Sequence, residues 1–158
     1  MSSWLRYDEA TTTASTIYSE DATGTPPDVL LQIYIIKVST DDKLGLKLVK
    51  FNDFTATPEA KVSSSNLTAK AWSFVSVALK LNADAKTATV RFQVNGTVDA
   101  EQTLPEAYYY LDATTDRQSY IGAKRKASAE FEEPFHGFIY SLYIDNTYIA
   151  GKPTYYTE

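Results

Sequence analysis

Between Trp72 and Ile144 the chain is written as apolar strands cut by turns: WSFVSVALKL, TATVRFQVNGT, QSYIGAK and FHGFIYSLYI. The second segment constrains most. In Thr87–Val94, Ala88, Val90, Phe92 and Val94 fall on one face and Thr89, Arg91 and Gln93 on the other. That is the two-residue period of a strand with one buried side. Asn95-Gly96 comes directly after it, and because both residues tolerate positive φ the pair is the strongest short hairpin signal. Thr97–Thr103 is the expected polar return strand. Antiparallel hairpins with one apolar face must bury it against another layer, and no segment shows the sustained helical period that would supply a helix.

The remaining segments fit the same scheme. Val29–Ser39 is the longest apolar run. Val29, Leu31, Ile33 and Ile35 lie on one face and Leu30, Gln32, Tyr34 and Ile36 on the other, so it reads as a central strand covered on both sides. Thr40–Lys43 is expected to turn the chain into a second strand, Leu44–Phe51. Ala71–Leu81 and Phe135–Ile144 are further strands, the latter opposing Phe138, Tyr140, Leu142 and Ile144 to Ile139, Ser141 and Tyr143. Shorter strands are expected within Ser3–Tyr7, Thr16–Ser19, Ala60–Ser64 and Ser119–Gly122. Asp21–Asp28 is a turn around Gly24 and Pro26-Pro27. Leu104–Asp116 reads as loop and Ala123–Pro134 as a charged, exposed segment. Short strands separated by turns point to a sandwich or barrel.

Composition removes several classes of function. With 158 residues, 44% of them apolar, one domain can bury roughly 70% of its unfolded surface without staples. The net charge is −5, and the only basic run is Lys124-Arg125-Lys126, so a nucleic-acid partner is not expected. No apolar stretch is long enough to span a membrane as a helix. There is no cysteine, which excludes disulfides, thiolate metal sites and thiol catalysis. The single histidine, His136, leaves no site that needs two imidazoles. MSSWLRYDEA lacks the basic and apolar regions of a signal peptide.

Four of these segments, in this order, resemble laminin G-like domains. Trp72 with Val75 and Val77 resembles their W-x-x-V-x-V strand, and Val90-x-Phe92-x-Val94-Asn95-Gly96 their V-x-L-Y-V-N-G hairpin. Tyr120-Ile121-Gly122 resembles L-x-I-G, and Phe135-x-Gly137-x-Ile139 with Tyr143-Ile144 resembles their closing F-x-G-x-I-D-E-V-R-I-Y strand. Ser3-Trp4-Leu5 and Ile17-Tyr18-Ser19 fit the earlier I-S-A-W and I-L-S strands more loosely. The resemblance implies the concanavalin A-like lectin and glucanase superfold, an all-β, two-sheet antiparallel jelly-roll sandwich over residues 1–158 as a single domain. On that reading the family's first strand has no counterpart, so the chain begins inside the domain or a partner supplies the strand. Trp72 is implied to anchor the core.

The fold alone does not choose a function. Glycosidases need two carboxylates with separate roles, and the E-x-D-x-x-E or E-x-D-x-E strand of the glucanase branch is absent. The nearest group is Glu130-x-Glu132-Glu133, read as an exposed acidic loop. His136 has no nucleophile motif around it and is read as structural. The resemblance admits calcium at a sandwich rim, with Asp41 and Asp42 or Asp112 and Asp116 as oxygen donors. For sugar binding, Tyr108, Tyr109 and Tyr110 with Asp112 and Asp116 form the candidate ligand site, and Tyr34 and Tyr143 are further aromatic platforms. Asn66 and Asn95 open N-glycosylation sequons.

The expectation is thus a non-enzymatic interaction module, extracellular or at the cell surface, that binds carbohydrate or protein. A structural alternative competes with it: a subunit that self-associates through sheet edges and terminal arms, at the Thr-rich start and at Thr154–Thr157, into an oligomer or filament. A carbohydrate-active enzyme is the weaker third reading.

Overall fold

The computed structural model describes residues 1–10, 13–22, 29–50, 57–82, 84–107, 117–125 and 130–145. Within them lie β1 (Ser2–Tyr7), β2 (Ser15–Ala22), β3 (Leu31–Val38), β4 (Asp41–Leu48), β5 (Glu59–Leu67), β6 (Ser73–Asn82) and β7 (Thr87–Val94). After them come β8 (Thr97–Val98), β9 (Gln102–Leu104), β10 (Arg117–Ile121), β11 (Lys124–Arg125), β12 (Phe131–Glu132) and β13 (Gly137–Tyr143). The strands form two principal antiparallel sheets. One runs β13-β1-β6-β7-β8, with β9 also paired to β7; the other runs β10-β2-β3-β4-β5. β11 and β12 form a separate two-stranded ribbon.

The inner faces carry the core. Leu5 and Tyr7 of β1, Val75 and Val77 of β6, and Ala88, Val90, Phe92 and Val94 of β7 meet Ile33 and Ile35 of β3 and Leu44, Leu46 and Leu48 of β4. The alternation in Thr87–Val94 therefore has the predicted sense, and Phe92 is completely enclosed. Truncating such a phenylalanine costs about 3–5 kcal/mol. Asn95 and Gly96 close the hairpin with φ of 49° and 87°, the pair of positive values a tight two-residue turn needs. The return segment is broken in two at Asp99, whose buried carboxylate accepts from Ser64 N at 2.6 Å and Ser65 Oγ at 2.7 Å. This ties the β8–β9 connection to β5 of the opposite sheet.

β3 lies in the middle of its sheet and is buried on both faces, as its sequence predicts. On its outer face Tyr34 packs over Gly45, its cross-strand partner. A β-carbon at position 45 would stand 2.4 Å from the tyrosine ring, so glycine there makes the room that buries Tyr34. The β3–β4 turn is one step earlier than expected. Ser39 takes φ of 58°, and Asp41 and Asp42 already belong to β4.

The segment after β10 is the main departure from the sequence reading. Ala123–Pro134 reads as exposed in sequence; instead its described part lies across the outer face of the β2–β3 region. Glu133 accepts from Gln32 Nε2 at 2.6 Å, and the same amide donates to Thr16 Oγ1 at 2.7 Å. Ser19 Oγ donates to Ala123 O at 3.1 Å, and Arg125 N to Asp21 Oδ2 at 3.2 Å. Gln32 and Thr16 would be costly to bury without these partners, so the strap and the polar face beneath it require each other.

Candidate functional site

The outer face of β13-β1-β6 is lined with aromatic side chains, and among the described residues no other element covers them. Register sets the pattern. Trp4 pairs with Tyr140 of β13 on one side and with Phe74 of β6 on the other, and Arg6 pairs with Phe138. Leu5 and Tyr7 point into the core, so Trp4 and Arg6 point out. The result is a row Tyr140–Trp4–Phe74 beside a second row in which Trp72 and Phe138 flank Arg6. Trp4 and Phe74 meet edge to face at 5.6 Å, and Trp72 and Phe138 lie 6.5 Å apart. The Arg6 guanidinium sits 5.9 Å from the Phe138 ring, and its Nε donates to Lys70 O at 3.0 Å. The backbone bond thus fixes this cation inside an aromatic frame.

Exposure is high for residues of this size: Trp4 39%, Trp72 50%, Phe138 57%, Tyr140 66% and Tyr143 46%. Scattered exposed aromatics need no explanation, but a contiguous cluster marks a contact surface.

Tyr143 joins the face because of a bulge. Simple alternation would set it opposite to Phe138. Ser2 pairs with Tyr143 and Trp4 with Tyr140, so the register slips between them, and Ser141 carries φ of 54°. The extra residue flips the parity of the strand beyond it. Phe138, Tyr140 and Tyr143 then share the outer face, while Ile139 packs on the core side.

Gly137 holds β13 close enough for this arrangement. Its φ is 154°, and a β-carbon there would stand 2.1 Å from Arg6 O and 2.7 Å from Tyr7 Cα. The glycine of the F-x-G-x-I pattern is therefore a close-approach position.

Several candidates from the sequence fare differently. Trp72 is not a core anchor: it lies half exposed just before β6. The inward set of that strand includes Val75 and Val77, and a residue three places before Val75 belongs to the other face. Tyr34 is 2% exposed and is no platform; Tyr143 is available. Tyr108, Tyr109, Tyr110, Asp112 and Asp116 lie outside the described residues, as do the proposed arm at Thr154–Thr157 and part of the Thr-rich start. Asn66 and Asn95 are both exposed, so neither side chain is enclosed. Asn95 also works in the turn, where its Oδ1 accepts from Phe74 N at 2.8 Å.

The charged candidates are engaged in structure. Asp41 and Asp42 are successive residues of β4 and project to opposite faces, so they do not converge on one ion. Asp42 is buried, accepting from Tyr7 Oη at 2.8 Å and pairing with Lys37 at 2.5 Å. This Tyr7–Asp42 bond joins the two sheets. Burial, then the Asp42 bond and charge, push the Tyr7 hydroxyl pKa well above the ordinary tyrosine range. Among the described residues no cluster of three or more His, Asp or Glu could hold a metal ion.

Glu132 and Glu133 both bind Lys124, at 2.7 and 3.2 Å. Burial works to lower the lysine pKa, but the two carboxylates outweigh it and hold the ammonium above its usual value. Two carboxylates sharing one lysine within the strap do not flank an open substrate cleft. His136 is exposed, and its carbonyl accepts from Asp8 N at 2.9 Å.

Comparison with known proteins agrees with this architecture. A search of curated proteins finds no match. Among solved structures, the native heptameric SAP-like pentraxin from Limulus polyphemus is similar, with a TM-score of 0.58 at 15% sequence identity. The match covers 88% of this chain and 60% of that pentraxin chain, so the present chain spans less than two thirds of its length. At that identity the likeness concerns the fold alone: an antiparallel two-sheet β-sandwich. The profile of the concanavalin A-like lectin/glucanases superfamily matches residues 1–149. With nearly the whole chain matched, and with the hairpin at Asn95-Gly96 and the glycine at position 137 where the sandwich requires them, the chain belongs to the concanavalin A-like lectin/glucanases superfamily.

Proposed function

We propose that residues 1–158 act as a single non-enzymatic interaction module, extracellular or at the cell surface, that binds carbohydrate on the aromatic face of β13-β1-β6. The observation that carries this reading is the contiguous exposure of Trp4, Trp72, Phe138 and Tyr140 around Arg6. Aromatic rings match the apolar faces of sugars, and a fixed cation with a few polar groups sets orientation. Size favours a sugar over a protein. Three strands by three residue pairs span roughly 10 by 14 Å, so the patch has a footprint on the order of 140 Å². A stable protein interface needs about 800 Å² per partner. The sequons at Asn66 and Asn95 support the extracellular placement.

The test is a titration of tryptophan fluorescence with a panel of defined oligosaccharides. The chain has only Trp4 and Trp72, and both lie in the face, so a bound sugar reports directly. Trp4→Ala and Trp72→Ala should each weaken binding at least tenfold while leaving the unfolding midpoint nearly unchanged. Binding that survives both substitutions sinks the reading. Tyr108, Tyr109, Tyr110, Asp112 and Asp116 form a second candidate contact, tested in the same titration with Tyr109→Ala. Asp112 and Asp116 are also the proposed oxygen donors for a calcium ion beside that contact, and repeating the titration in chelator tests it.

A further inference from the structure

β13 ends its sheet, and its sequence does nothing to guard that edge. Gly137–Ile144 contains no charged residue and no proline, although the chain carries a net charge of −5. The other sheet termini are treated differently. β8 and β9 have two and three residues, β5 carries Glu59 and Lys61, and β10 carries Arg117. Natural proteins blunt edges by shortness and charge because an open edge recruits another strand.

The backbone of β13 can be read residue by residue. The His136 carbonyl accepts from Asp8 N, and the Tyr140 carbonyl receives the Ser3 hydroxyl at 3.2 Å, so both face β1. Antiparallel bonding alternates. Residues 136, 138 and 140 therefore bond to β1, and Gly137 and Ile139 turn their N–H and C=O groups away from it, with no strand beyond among the described residues. Ile139 packs on the core side yet remains only half-buried. Among the described residues no further strand lies beyond β13 to cover it.

We infer that the occupant of this edge is a second copy of the chain, joined by antiparallel β13–β13 pairing about a two-fold axis at Ile139. A two-fold contact is self-complementary, and a neutral edge lets two copies of a net-negative chain meet without like charges opposed. The axis at Ile139 sets the Ile139 amides and carbonyls of the two copies against each other and lays their side chains together on the core side. It also sets Phe138 opposite the partner's Tyr140, and Tyr140 opposite the partner's Phe138. These are non-hydrogen-bonded pairs, in which side chains stand closest. The two aromatic faces then become one continuous surface. The bulge at Ser141 limits the regular pairing to a few residues, which makes this a weak, micromolar-range contact. The inference rests on the edge and not on the sugar reading.

Two measurements on the whole chain test it together: sedimentation equilibrium from low to high micromolar concentration, and residue-resolved amide exchange over the same range. The expected result is a monomer–dimer equilibrium in which the Ile139 amide exchanges fast when dilute and becomes protected at least tenfold when concentrated. The Phe138 and Tyr140 amides, already bonded to β1, should change little. Tyr140→Lys, at a side chain exposed enough to keep the fold, should abolish the dimer, and Ile121→Lys on the β10 edge should not. A monomer at every concentration overturns the inference. So does a dimer that forms while the Ile139 exchange rate stays constant, a dimer that survives Tyr140→Lys, or an Ile139 amide already protected in the monomer. None of these outcomes depends on whether a sugar binds.

Discussion

Replacing Gly137 with alanine should release β13. The added β-carbon would stand 2.1 Å from Arg6 O, against 3.4 Å for ordinary contact, so the strands must part by about 1.3 Å. The bond from Asp8 N to His136 O is 2.9 Å, and a retreat of that size takes it out of hydrogen-bond range. The bonds between Phe138 and Arg6 flank the same point and go with it. About three net hydrogen bonds at roughly 0.5–1.5 kcal/mol each add to about 1–3 kcal/mol of strain for a side chain at this φ. The sum is roughly 2.5–7.5 kcal/mol, a large part of the ~5–15 kcal/mol that holds a domain together. Urea unfolding monitored by circular dichroism reads the global form of the effect. With a slope of about 2 kcal/mol per molar, the midpoint should fall by about 1–4 M. If β13 peels away while the rest stays folded, the loss shows instead as fast exchange of the Phe138 and Tyr140 amides. A variant with the wild-type midpoint and protected β13 amides would refute the close-approach argument.

Two further outcomes concern the interior. Burial first, and carboxylate neighbours second, hold three tyrosines neutral: Tyr18 and Tyr34 are pushed up to about 12, and Tyr7 shifts in the same direction. A raised folded pKa means that this stability is complete below the unfolded value near 10 and is lost as pH climbs, because the unfolded chain gives up protons that the folded chain keeps. Stability should therefore fall between about pH 10 and 12, by on the order of 2–3 kcal/mol for Tyr34 and by less for Tyr18, whose charge solvent screens more, and Tyr34→Phe should flatten the curve. Urea midpoints across that range check it; a flat profile would contradict the burial of these hydroxyls. Separately, Asp99→Ala should cost about 2–4 kcal/mol, since it strips the acceptor from Ser64 N and from Ser65 N and Oγ. Asp99→Asn, which keeps one carbonyl oxygen, should cost less in the same measurement.

The aromatic face was half legible. The sequence pointed to a loop and to Tyr34 and Tyr143 for platforms, of which only Tyr143 lies on this face, and it placed Trp72 in the core by resemblance. Strand parity held the better signal. Trp72 stands an odd number of places from Val75, and Val77 is inward with Val75. The tryptophan therefore belongs with Phe74 and its neighbours outside, once the strand is seen to run straight back to it. Trp4 and Leu5 gave no such signal, because a short segment with two large apolar neighbours does not say which one faces in.

What the sequence determined by itself was local and periodic. The positive φ values at Asn95 and Gly96, the inward set from Ala88 to Val94 and the two-sided burial of β3 are each decided by residues within a few places of one another, where backbone sterics and alternation act. Only the tertiary structure decided the rest. The bulge at Ser141 exists relative to β1, the need for glycine at 137 comes from the backbone of Arg6 and Tyr7, and the Glu133 carboxylate finds Gln32 from 101 residues away. These depend on which strands become neighbours, and neighbours are chosen by the packing of two whole sheets, a sum over many weak contacts that no short window of sequence contains.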